Sequence, residues 1–153
     1  MNKKLLSATI FGLFSALLMV NAPVNAQDKM SNTSKMSSSV LVTTGKFRMV
    51  THKTSGTATI FEKPDGTREL KLENFATADG PALHVFLVAA GDARDNASVK
   101  KSGFLDLGKL KMRKGVQTYA VPANIDLWKY RAVTIWCDKF SVNFGTAPLA
   151  AKQ

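Results

Sequence analysis

The chain predicts an all-β fold: a single-domain antiparallel β-sandwich of about seven or eight strands. Three observations carry that expectation. Short runs rich in Val, Ile, Thr, Phe and Tyr recur from residue 45 onward. Turn residues punctuate them at the roughly 8–12-residue spacing of sandwiches and barrels. Almost no stretch keeps the 3.6-residue period of an amphipathic helix. Between sandwich and barrel, the sandwich is the reading adopted.

The first segment is not part of that fold. Asn2-Lys3-Lys4 precedes an uncharged apolar run from Leu5 to Val20, followed by Pro23 and the triplet Val24-Asn25-Ala26. A basic start, an apolar middle and small residues at the end describe a signal peptide over residues 1–26, cleaved after Ala26, which sends the chain to the periplasm or outside the cell. The run is short for a membrane anchor, which needs about 20 residues. No cysteine follows it to accept a lipid. Residues 27–44 read as a flexible linker, dominated by Ser, Thr, Asn and Lys as far as Ser39 and too polar to pack.

The domain is expected from Gly45 to Leu149, with residues 150–153 as a tail. Gly45-Lys46-Phe47-Arg48-Met49-Val50 alternates polar and apolar, as a half-buried strand does. Residues 57–62 and 68–75 flank Pro64-Asp65-Gly66, where Pro presets φ and Gly accepts φ > 0, so they form a hairpin. Leu83-His84-Val85-Phe86-Leu87-Val88 is apolar on both faces and therefore central. Residues 91–103 are a charged excursion. Strands follow at 104–110 and 116–121, separated by the basic turn Lys111-Met112-Arg113-Lys114-Gly115. Residues 122–130 are the one convincing helical fragment, about a turn long, with Asp126 placed to cap it. Strands at 132–137 and 140–144 complete the set.

Composition narrows the chemistry. The chain has 153 residues, 45% hydrophobic and 21% charged, with 21 basic and 11 acidic side chains and a formal net charge of +10. Without Lys3 and Lys4 the leaderless chain keeps 19 basic against 11 acidic, a net +8 over 127 residues. That length buries one core. With Cys137 as the single cysteine, an intramolecular disulfide, a Cys-rich zinc finger and a thiolate-held iron–sulfur cluster are excluded. No Cys-x-x-Cys pair and no Cys-x-x-Cys-His haem attachment exist. Acids show no pairing suited to acid–base work, and Ser55-Gly56 lacks the nucleophile-elbow pattern. No phosphate loop is present. The chain carries no hydrolase or transferase signature, and enzyme activity is left open apart from redox chemistry.

The order of landmarks is more specific than the fold class. Gly80-Pro81-x-Leu83-x-Val85-x-Leu87 precedes Leu107-Gly108-x-Leu110 and Gln117-x-Tyr119-x-Val121-Pro122. Val133-x-Ile135-Trp136-Cys137-x-x-Phe140-Ser141-Val142-x-Phe144-Gly145 closes the series. This order resembles the DM-thirteen domain, a secreted β-sandwich module found alone in bacteria and beside DOMON domains in animals. The likeness spans about Gly45 to Leu149, and Trp136-Cys137-x-x-Phe140-Ser141 is its specific part. Ala82 departs from the acidic residue expected after Gly-Pro, which weakens cation binding at that turn. The resemblance implies electron transfer or redox chemistry centred on Cys137, as a bare thiol or as ligand to a prosthetic group.

The residues themselves leave two readings of Cys137. It shares a strand face with Val133 and Ile135, where free cysteine serves as a small core hydrophobe. Alternatively it is a redox-active thiol at a strand end, its anion favoured by Lys139 and Arg131 near in sequence and opposed by Asp138. Trp136 and Phe140 would then shape a cofactor site around Cys137, with haem or copper as the groups that suit sulfur, or with no cofactor at all. His52 and His84 are the only imidazoles available to join Cys137 on a metal. No His lies within fifty residues of Cys137, unlike the usual blue-copper loop. A redox reading requires a partner with which to exchange electrons. The rival function is a binding module in which Lys109, Lys111, Arg113 and Lys114 hold an anionic ligand and the cysteine is structural. The ordinary alternative for that patch is a solvated basic surface. Membrane contact would come only through an uncleaved leader or this patch, and export disfavours nucleic acid.

Overall fold

The computed structural model describes residues 38–150. The leader, most of the linker and most of the tail lie outside the described residues. Among the described residues nine strands run β1 Val40–Lys46, β2 Arg48–Met49, β3 Thr54–Glu62, β4 Arg68–Thr77, β5 Leu83–Val88, β6 Phe104–Lys109, β7 Lys114–Val121, β8 Ala132–Cys137 and β9 Val142–Pro148. One helix, α1, spans Asn96–Ser102. One sheet has the order β1-β3-β4-β7 and the other β2-β9-β8-β5-β6. All pairings are antiparallel. A single cluster uniting Ile60, Leu70 and Leu72 of the first sheet with Val85, Ile135 and Cys137 of the second fills the space between them. The fold is an all-β sandwich.

The extra strand comes from dividing one predicted run. The alternation at residues 45–50 continues through Phe47, but the hydrogen-bonding changes sheets there. β1 pairs with β3 and β2 with β9. Phe47 is the pivot: its amide donates to Gly56 O (2.9 Å), and its buried ring meets Phe75 edge-on at 5.4 Å. β1 also begins at Val40, inside the segment read as linker, because Val40-Leu41-Val42 finds an edge of β3 to pair with.

The helix falls where none was expected. Asp95 caps α1, its Oδ1 accepting from Ser98 N (2.6 Å) and Ser98 Oγ (2.9 Å), and Gly103 closes it at φ 81°. The Ser98 bonds hold the Asp95 carboxyl below the ordinary carboxylate range. Only Val99 needs burial, so a charged stretch satisfies a seven-residue helix. Residues 122–130 form turns instead. Asp126 does cap a turn, accepting from Trp128 N (2.8 Å), but the segment closes as two separate turns and no helix propagates from it.

The 89–103 excursion and α1 cover the outer face of the second sheet. Phe86, Val88, Ala132 and Trp136 bury there against Ala93 and Val99. That explains why β5 and β8 are apolar on both faces. Phe104 stacks on Phe86 (4.2 Å, 4°) and remains 46% exposed.

Candidate functional site

Cys137 ends β8. Its register partners are Leu83 on β5 and Val142 on β9, and all three side chains share the face toward the first sheet. The thiol is fully buried, and Sγ donates a hydrogen bond to Pro81 O at 2.9 Å. The chain above it is thin. Pro81 and Ala82 are exposed, and the Asp138 amide donates to Ala82 O (3.0 Å), tying this turn to the end of β8.

The turn is under backbone strain. Ala82 sits at φ 53° and Ser141, in the next turn, at φ 52°. An L-residue with a Cβ pays about 1–2 kcal/mol in that region. Two of the three non-glycine residues with positive φ among the described residues therefore flank Cys137. An aspartate tolerates this conformation better than alanine, a backbone reason for an acidic residue after Gly-Pro. Gly80 is required for close approach, since a Cβ there would lie 2.6 Å from Phe144 Cζ and 3.0 Å from Leu83 Cδ2.

The other sequence-predicted residues do not join the thiol. Trp136 pairs with His84 on the opposite face of the sheet, packed under α1 with Lys100 Nζ 6.0 Å from its ring. Phe140 is 61% exposed in the turn after β8, and Lys139 Nζ lies 5.7 Å from its ring. Trp136, Cys137 and Phe140 thus point to three different environments, which is what strand alternation followed by a turn imposes. His84 faces away from Cys137, and its Nδ1 is 2.8 Å from Asp106 Oδ2. His52 is exposed and rests on the Phe144 ring at 4.0 Å. Among the described residues no three His, Cys, Asp or Glu side chains form a group that could hold a metal. Cys137, His52 and His84 are therefore not brought together as one three-ligand set. Arg131 stands at the opposite end of β8 from Cys137.

The basic turn is built, and partly neutralised. Buried Gln117 accepts at Oε1 from Lys111 N (3.2 Å) and Met112 N (3.1 Å) and donates from Nε2 to Met112 O (2.7 Å). Tyr119 OH donates to the same Oε1 (2.8 Å) and accepts from Lys111 N (3.0 Å). Lys111 Nζ is bound to Thr118 O and lies 4.9 Å from the Tyr119 ring. Arg113 reaches Asp79 Oδ2 at 3.2 Å. Lys109 and Lys114 remain exposed. The Arg113–Asp79 pair joins this turn to the one covering Cys137, a neighbourhood that sequence spacing did not disclose. Pro81 O and the strained Ala82 were also missed as participants, although Gly80-Pro81 was a landmark.

The family model described as Electron transfer DM13 matches residues 46–149. The chain belongs to this family. No curated protein and no solved structure matches it. The match covers the sandwich from the last residue of β1 to the residue after β9. As a DM13 domain the protein has a redox role of the electron-transfer kind, and Cys137 is the single thiol that the DM13 fold places in this chain.

Proposed function

We propose that the protein is an exported electron-transfer module whose redox atom is Cys137 Sγ, acting as a bare thiol. The observation that carries the reading is the thiol's position: fully buried, yet only one strained turn below the surface and hydrogen-bonded to that turn's own carbonyl. Strain of this kind clusters at sites that switch. The leader-like amino terminus supports export. The bare thiol is preferred to a metal-bound one because the available imidazoles lie apart from it.

The chemistry is two-electron thiol exchange. When residues 80–82 lift, Sγ leaves Pro81 O and loses its proton to solvent. The thiolate attacks a small disulfide, an S–S bond to Cys137 forms, and the other sulfur departs as a thiolate that takes up a proton. The departing thiol carries the electron pair onward; a second thiolate then attacks the outer sulfur of the mixed disulfide, is oxidised into a new disulfide, and returns an electron pair to Cys137, whose thiolate is reprotonated.

The test is the rate at which native protein reacts with a small aromatic disulfide such as dithiobis(nitrobenzoate), followed by absorbance across low denaturant concentrations. Local opening gives a rate nearly independent of denaturant. Gly80→Ala, which drives a Cβ into Phe144, is expected to speed the reaction about tenfold, while Cys137→Ser abolishes it. The full burial of Sγ favours a second reading, in which Cys137 is core and the exposed Lys109 and Lys114 serve an anionic ligand. A reaction rate that tracks global unfolding in both proteins would select it and refute the redox reading.

A further inference from the structure

A second feature lies at the other end of the sandwich from Cys137. There the start of β1, the end of β9 and the 122–131 loop enclose a cavity of about 340 Å³. Val42, Ile125, Leu127 and Leu149 give it an apolar lining, and Trp128 stands in its wall while 68% exposed. The wall is fixed from inside the fold, because Arg68 donates from Nη1 to Ile125 O (3.1 Å) and from Nε to Glu62 Oε2 (3.0 Å).

The charges around the cavity are unequally occupied. Glu62 is paired with Arg68, and Asp126 accepts the Trp128 amide. Arg131 lines the same cavity, and no ion pair of its side chain is found among the described residues. Its backbone is anchored on both sides: N donates to Val88 O (3.0 Å) and O accepts from Leu149 N (2.8 Å). A guanidinium on a fixed backbone matches the two oxygens of an acid group, and an exposed indole beside an apolar floor offers a flat surface for stacking. Cavities of this volume hold small organic molecules.

We propose that this cavity binds a small planar aromatic acid, its ring against Trp128 and its carboxylate or sulfonate on Arg131. The site is separate from the thiol. Arg131 and Cys137 bracket the six-residue strand β8, which spans roughly 17 Å at about 3.3 Å per residue.

The probes are anilinonaphthalene sulfonate and its uncharged relative phenylnaphthylamine, titrated by fluorescence into the native protein, with circular dichroism confirming the fold of each variant. Wild-type protein is expected to bind both at one site. Trp128→Ala should weaken both about tenfold, and Trp128→Phe should retain most of the affinity. Arg131→Gln should weaken the sulfonate roughly threefold and leave the neutral probe unchanged. The disulfide reactivity of Cys137 should be the same in all four proteins, so this proposal and the thiol reading fail independently. Absence of sulfonate binding, or equal binding of each probe by all four proteins, would overturn the site. Equal weakening of both probes by Arg131→Gln would overturn the acid specificity.

Discussion

Gln117→Met removes an amide while keeping nearly the same side-chain volume, so its cost measures the hydrogen bonds that organise the basic turn. Gln117 and Tyr119 are each 4% exposed. The amide engages Lys111 N, Met112 N, Met112 O and Tyr119 OH. A hydrogen bond contributes about 0.5–1.5 kcal/mol net, and a buried group left without a partner costs about 1–3 kcal/mol. The three backbone groups belong to exposed Lys111 and Met112 and recover water in part. The Tyr119 hydroxyl proton does not, because it is buried against the lost oxygen. The expected loss is about 3 kcal/mol, or roughly 10–15 °C in Tm for a domain of this size. Urea denaturation at neutral pH measures it, and trypsin gives a second readout. Cleavage after Lys111, Arg113 and Lys114 should accelerate as the turn loosens. A loss under about 1 kcal/mol with unchanged proteolysis would show that the turn is held by its strand ends and that the amide network is incidental.

Two further expectations rest on the same packing. Burial raises the Tyr119 phenol above its ordinary 10.0, the largest influence, against the smaller opposing effect of Lys111 N donating to it. The unfolded chain therefore releases this proton first, and folding stability falls as pH climbs from about 10 through the higher folded value. In Tyr119→Phe that component of the alkaline loss should vanish, as urea midpoints at pH 9, 10 and 11 would show; identical pH dependence in the two proteins would contradict it. Gly145→Ala should destabilise by about 3 kcal/mol or more, because its Cβ would meet Thr54 Cβ at 2.4 Å and Arg48 O at 2.8 Å, with backbone on one side and a buried threonine on the other. A loss below about 1 kcal/mol in chemical denaturation would mean that β2 shifts freely off β9.

What the sequence by itself determined is local. Period-two alternation and turn chemistry act over a few residues, and they located β5 and β8 to the residue and the β3–β4 hairpin to within a few positions. The central place of β5 was legible because a strand buried on both faces has to be apolar on both. Cysteine arithmetic and the Trp136-Cys137 segment placed the single sulfur at the end of a strand, where the structure has it. The departures arise where a distant partner decides the outcome. Val40 to Thr44 becomes a strand because β3 offers an edge, and residues 45–50 split because their two halves find different sheets. Asp95 and Gly103 were readable helix ends, but the polar run between them concealed the single burial that α1 requires.

The site divides in the same way. Sequence neighbours on a strand face opposite sides, so Trp136 and Cys137 could not share one environment once β8 was straight. Residues far apart in the chain supply what surrounds the thiol instead: Pro81 gives the carbonyl, Phe144 packs Gly80, and Asp79 brings Arg113 to the rim. The sequence determined that one sulfur is present and at which strand end it sits. Only the tertiary structure decided that a strained turn lies above it, because that contact depends on how two sheets close and not on any local period.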